Sequence, residues 1–150
     1  MLFFKNKPTR VKIQISSKTI LHQCIILTAL YSVFVLSYVW WHCYTSPFVG
    51  GKNGPLDAYR HTLASAVVAY TTTPKFVKIV TFCMENENHP ANLMDKHNNK
   101  IGTKIGVHAV SFSTLPKLVN TQILQGKVNA PNQNQTTWLP ENKWAEGFFW

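Results

Sequence analysis

Residues 55–70 read P-L-D-A-Y-R-H-T-L-A-S-A-V-V-A-Y, and the reading of this stretch decides the fold class of the chain. Leu56, Tyr59, Leu63, Ala66, Val67 and Tyr70 recur at three- and four-residue steps, the period that lines one face of an α-helix with apolar side chains. Pro55 suits the first helical turn, where its missing N–H would be unpaired anyway. The spacing therefore predicts a helix from Pro55 to about Tyr70, capped by Asn53 or Gly54. Asp57 and His61 are four apart and share one face of that helix, with Ser65 one turn further and Arg60 alongside.

Downstream, T-T-T-P-K-F restarts a helix, with Thr73 as cap and Pro74 in its first turn. It is expected to run to about Asn86, turning Phe76, Val80 and Cys83 or Met84 to the core and leaving Glu85 near its end. A third helix is expected from Asn92 as cap, with Asp95 at the third helical position where a carboxylate accepts orphan backbone N–H groups. Met94, Asn98, Ile101 and Ile105 share a face there. An interior glycine costs about 1 kcal/mol against alanine, so Gly102 and Gly106, four apart, signal close approach by another backbone or a break. A fourth helix, about residues 115–125 with Gly126 as its stop, completes a small bundle.

Upstream, residues 24–41 read C-I-I-L-T-A-L-Y-S-V-F-V-L-S-Y-V-W-W without a charge, extended by Ile20 and Leu21. About twenty helical residues at about 1.5 Å each cross a bilayer core. Tyr38, Trp40, Trp41 and Tyr44 at the far end match an interfacial aromatic belt. Lys5, Lys7, Arg10, Lys12 and Lys18 precede the run with no acid among them, which predicts a cytoplasmic N-terminus and a domain outside the cytoplasm. No small-x-small cleavage site follows the run, so a permanent anchor is expected.

The expected fold class is all-α: a single N-terminal transmembrane helix, then a small helical bundle with an aromatic C-terminal tail. Its segments are a basic arm at 1–19, a signal anchor at 20–44, a linker at 45–54, the helical domain at 55–126 and the tail at 127–150. The tail is polar at first, but Trp138, Leu139, Trp144, Phe148, Phe149 and Trp150 carry too much apolar area to leave in water, so it should fold onto the domain or the membrane. The formal charge of +9 raises nucleic acid as a partner. A third of the basic residues lie in the arm and the rest are spread singly, with no basic face interleaved with aromatics, so no nucleic acid is expected. Three cysteines, one of them inside the apolar run, make no disulfide framework.

Four of the six acids, Asp57, Glu85, Glu87 and Asp95, fall in one window with Arg60, His61, His89, His97, Asn98 and Asn99. Carboxylates beside imidazoles suit a general acid and base pair, for which Asp57, His61, Glu85 and Asp95 are the candidates, with Arg60, His97, Asn98 and Asn99 as binding groups. Asp57, His61 and Asp95 also form a mixed oxygen and nitrogen set compatible with a divalent metal such as zinc, manganese or calcium. The alternative is a structural network in which Arg60 pairs with Glu85, Asp57 bonds Asn98 or Asn99, and His61 is satisfied in the core.

These blocks, D-A-Y-R-H-T-L-A-S-A, M-E, M-D-K-H-N-N-K-I-G and W-L-P-E-N-K-W, resemble a family of small bacterial membrane-anchored proteins over about residues 50–150. Related D-A-x-R-H and M-D-x-x-N-N blocks are similar to the C-terminal domains of some secreted polymorphic toxins. The chain departs from the toxin-like pattern at Met84, where those domains carry His. The resemblance implies a bacterial protein with a polar site, and the basic arm and apolar run add the expectation of an inner-membrane protein with a periplasmic domain. Two functions fit: a hydrolase acting on peptidoglycan or phospholipid, and a non-catalytic protein whose bundle docks another envelope component.

Overall fold

Uniform apolarity, with no polar stripe, marks the first helix. The structure is a computed structural model of the chain, and it describes residues 16–82 and 89–145. Helix α1, Ser17–Tyr44, is long and apolar enough by length and composition to cross a membrane. Its Thr28 and Ser32 hydroxyls donate to the carbonyls of Cys24 and Thr28, so these polar atoms find partners within the helix, as a lipid-facing segment requires. The chain divides into two units, residues 1–32 and 33–150. In the first, the described part of α1 exposes Ile20, Leu21, Ile25, Ile26, Leu27 and Leu30.

The second unit holds the rest of α1 with α2 (Pro55–Thr71), α3 (Pro74–Phe82), α4 (Pro90–His108) and α5 (Leu115–Leu124), the last preceded by a 3-10 turn at Phe112–Thr114. No strand occurs among the described residues, only an isolated antiparallel bridge between Lys52 and Ala145. The architecture is all-α, a helical bundle with one long apolar N-terminal helix. Val35, Val39 and Cys43, at four-residue steps on α1, are buried in this unit, while Val33, Leu36 and Trp41 on its other sides stay exposed.

α2 is the central element, with Leu56, Ala58, Tyr59, Leu63, Ala66 and Val67 all nearly inaccessible. α4 runs parallel to it, because equal steps along both helices keep partners matched: His61 meets Asp95, and Ser65 meets Asn99. The glycine pair makes this packing. A Cβ at Gly102 would lie 2.1 Å from the Thr62 carbonyl oxygen, and one at Gly106 would lie 2.3 Å from that of Ala66. No rotamer relieves a clash with backbone, so only glycine fits at either position. Leu115, Val119 and Ile123 of α5 close the core.

Two local expectations are corrected. α4 begins at Pro90 with His89 as its cap, whose Nδ1 accepts from the Ala91 N–H at 3.4 Å, so Asn92 lies inside the helix and is not its cap. A proline at the first helical position needs no N–H partner and has its φ preset, which starts the helix earlier and puts Asp95 beyond the first turn, where it faces α2. Among the described side chains of α3 the buried one is Val77, while Phe76 and Val80 are 38% and 46% exposed. α3 is nine residues long. Cys83, Met84 and Glu85 lie outside the described residues.

The polar segment after α5 lies against the bundle. The Asn98 amide donates to the Thr137 carbonyl at 2.9 Å, and the Leu139 N–H donates to the Asn53 carbonyl at 2.9 Å. The Trp138 ring covers Gly126 and the Trp144 ring covers Gly50. Phe148, Phe149 and Trp150 lie outside the described residues.

Candidate functional site

Asp57 reaches its place through the loop before α2. Gly50 and Asn53 adopt positive φ, of 78° and 62°, and fold the loop so that the Val49 and Gly50 carbonyls accept the Leu56 and Asp57 N–H groups. Asp57 in turn accepts the Asn53 N–H through Oδ2 at 2.6 Å, while Oδ1 pairs with the Arg60 guanidinium. Arg60 also donates to the Gly51 carbonyl at 3.1 Å and lies over the Trp40 ring of α1, 5.4 Å from its centroid. Local geometry thus fills Asp57 from its own helix and loop. This corrects the expected Asp57 bond to Asn98 or Asn99, whose amides go to Thr137 and Ser65 instead.

His61, one turn on, places Nε2 3.3 Å from Asp57 Oδ1 and 3.6 Å from Asp95 Oδ1. Its side chain is 33% exposed, against 22% for Asp95 and 5% for Asp57, so the imidazole is the open face of the cluster. Burial pushes the Asp57 carboxyl up, but the pairing with His61, the charges of His61 and Arg60 and the Asn53 N–H outweigh it, and the carboxyl lies below its ordinary value. Burial likewise works to keep His61 neutral. The pairing with Asp57 and the charges of Asp95 and Asp57 prevail over burial and over Arg60, so its pKa is raised.

One donor atom from each of Asp57, His61 and Asp95 lies within 4.8 Å of the others. Donors about 2.1 Å from a tetrahedral metal stand roughly 3.4 Å apart, close to the 3.3 Å and 3.6 Å that separate Nε2 from the two carboxylate oxygens. These two separations make Asp57, His61 and Asp95 residues that could hold a divalent ion.

Of the expected site residues, the structure brings together Asp57, Arg60, His61 and Asp95, with Asn99 adjacent through Ser65. Asn98 is fully buried and ties the C-terminal segment to α4. His97 does not join the site. Two residues after Asp95 on a helix, it points about 200° away, and it lines a separate cleft with Lys100, Lys104 and Lys127. The sequence reading did not name Trp40 or Asn53 as contacts of the site, nor that lysine cleft, although the four-residue step from Lys100 to Lys104 was a visible signal. Glu85 lies outside the described residues. Compared with family models, with curated proteins and with solved structures, the chain has no match.

Proposed function

We propose that the chain is a membrane-anchored, envelope-facing hydrolase whose site is formed by Asp57, His61 and Asp95 around a divalent metal. The observation that carries this reading is the convergence of three donor atoms from two parallel helices, within 4.8 Å, beside a partly open imidazole. When bound, such a metal polarises water for attack on an ester or amide. The protein's part is to hold Asp57 through Arg60 and Asn53 and to keep one side of His61 open.

The anchor supports the choice of substrate. In this reading α1 crosses the inner membrane once, with the basic arm cytoplasmic and the bundle periplasmic. Aromatic side chains at the end of a spanning helix sit at the headgroup level, and Arg60 lies against one of them, Trp40. That depth favours phospholipid over peptidoglycan. The test uses the full chain in phospholipid nanodiscs, with metal content measured and lipid hydrolysis followed with and without a chelator. Bound metal and hydrolysis are expected in the wild type, both lost in His61→Ala and Asp95→Asn. A metal-free wild type that leaves lipid intact would sink the reading.

A second reading, a non-catalytic bundle that docks another envelope component, is favoured by the saturation of Asp57 with local partners. It predicts a different ordering of effects. Asp57→Ala would remove the buried carboxylate that the Asn53 N–H and the Arg60 guanidinium share and cost about 3 kcal/mol in denaturant titrations. His61→Ala and Asp95→Asn, partly exposed, would then fold normally and change nothing measurable in hydrolysis.

A further inference from the structure

The face of α4 opposite the Asp95 site has no part in the proposed reaction. It forms one wall of a cleft of about 550 Å³, whose other walls come from α5 and from the segment after Gly126. Lys100 and Lys104 enter from α4 and Lys127 from the facing segment, with His97 beside them. Among the described residues no Asp or Glu lines the cleft. Like charges four apart on a helix repel, so Lys100 and Lys104 are destabilising neighbours unless a negative charge lies between them.

The rest of the lining is mostly amide, including Gln122 of α5 and Gln125 just after it, with Ile101, Gly126 and Thr137 beside them. Amides donate to and accept from hydroxyl groups, whereas three ammonium groups call for a multiply charged oxyanion. The volume exceeds what a bare anion needs. Among the described residues no aromatic ring lines the cleft for a base to stack on, which disfavours a nucleic acid strand. Its rim is held in place, since the Thr137 backbone donates to the Lys127 carbonyl at 3.0 Å and accepts from the buried Asn98.

We propose that this cleft binds a phosphate-bearing polyol, with Lys100, Lys104 and Lys127 on the phosphate and the glutamine amides on the hydroxyl groups. This chemistry is shared by a glycerophosphate headgroup and a soluble sugar phosphate. The site is independent of the hydrolase reading and stands whether or not Asp57, His61 and Asp95 hold a metal.

The test uses the full chain in phosphatidylcholine nanodiscs, titrated calorimetrically with glycerol 3-phosphate. Saturable binding is expected, weakened tenfold or more in Lys100→Gln/Lys104→Gln and in Lys127→Gln, and unchanged in Lys117→Gln, an exposed lysine on α5 outside the cleft. These lysines are all exposed, so the variants should fold, and a thermal melt in each checks this. Absence of binding in the wild type, equal binding in the cleft variants, or an equal heat from sodium chloride at matched ionic strength would overturn the proposal. Replacing phosphatidylcholine with phosphatidylglycerol then distinguishes the sources. Weaker binding of the soluble probe identifies a lipid headgroup as occupant, and unchanged binding identifies a soluble phosphate.

Discussion

His61 stands between two carboxylates and one guanidinium, and its protonation follows from which of them dominates. Its folded pKa is raised, so the stability it contributes is complete below about pH 6.5 and is lost as pH rises through the folded value. Asp57 behaves oppositely. Its pKa is lowered, so its contribution is present above about pH 3.9 and is lost as pH falls through the folded value. The chelator-treated chain should therefore be most stable between about pH 4 and 6.5, with a thermal midpoint that declines above that range and a flatter upper limb in His61→Gln. Metal binding needs neutral imidazole, so the metal-loaded protein should show the reverse trend over the same interval. Identical upper limbs in wild type and His61→Gln after chelation would contradict the assignment. Much of this was legible, because a four-residue step fixes Asp57 and His61 on one face whatever surrounds them. The two-residue step from Asp95 to His97 was equally legible and excludes His97 from that face. The Arg60 contact with Trp40 was not, since it joins elements that sequence spacing does not relate.

At the scale of elements, the α2–α4 contact sets the site, since Asp95 and Asn99 reach His61 and Ser65 only while the two backbones stay close. Gly102→Ala isolates this. Alanine would gain about 1 kcal/mol of helix propensity, but its Cβ would fall 2.1 Å from the Thr62 carbonyl oxygen, so the helices must separate. Overpacking of this kind typically costs 1–3 kcal/mol, occasionally more. A net loss of about 2 kcal/mol is expected in denaturant titrations, with weaker metal binding as His61 and Asp95 move apart. A variant as stable as wild type would show that the backbones do not meet there. The glycine pair announced a close approach in the sequence, but not which helix approaches, because spacing within one helix does not name its neighbour. The start of α4 was misread because Asn92 and Pro90 both carry helix-start signals, and the proline prevails. The apolar face of α3 was misplaced because a short amphipathic pattern does not show how much of its apolar stripe a neighbour covers.

In the molecule as a whole, α1 is both an apolar helix of membrane-spanning length and a member of the bundle, through Val35, Val39 and Cys43. Uniform apolarity made the first role readable and concealed the second, since no polar stripe distinguishes a lipid-facing side from a protein-facing one. If α1 spans a bilayer, about twenty helical residues counted along the sequence from Lys18, the last charge before the apolar run, cover the roughly 30 Å of hydrocarbon and reach the neighbourhood of Tyr38. Phe34 then lies inside the hydrocarbon. Phe112 stacks on Phe34 with centroids 6.1 Å apart and lies 4.9 Å from Tyr38, which brings the loop before α5 to the same depth. Val110 in that loop is 96% exposed, an apolar side chain that the bundle leaves uncovered and that lipid would cover. A photoreactive diazirine amino acid at position 110 of the full chain in nanodiscs should give lipid adducts by mass spectrometry, while the same group at position 117 on α5 should react with water. Water adducts at both positions would place the loop outside the bilayer.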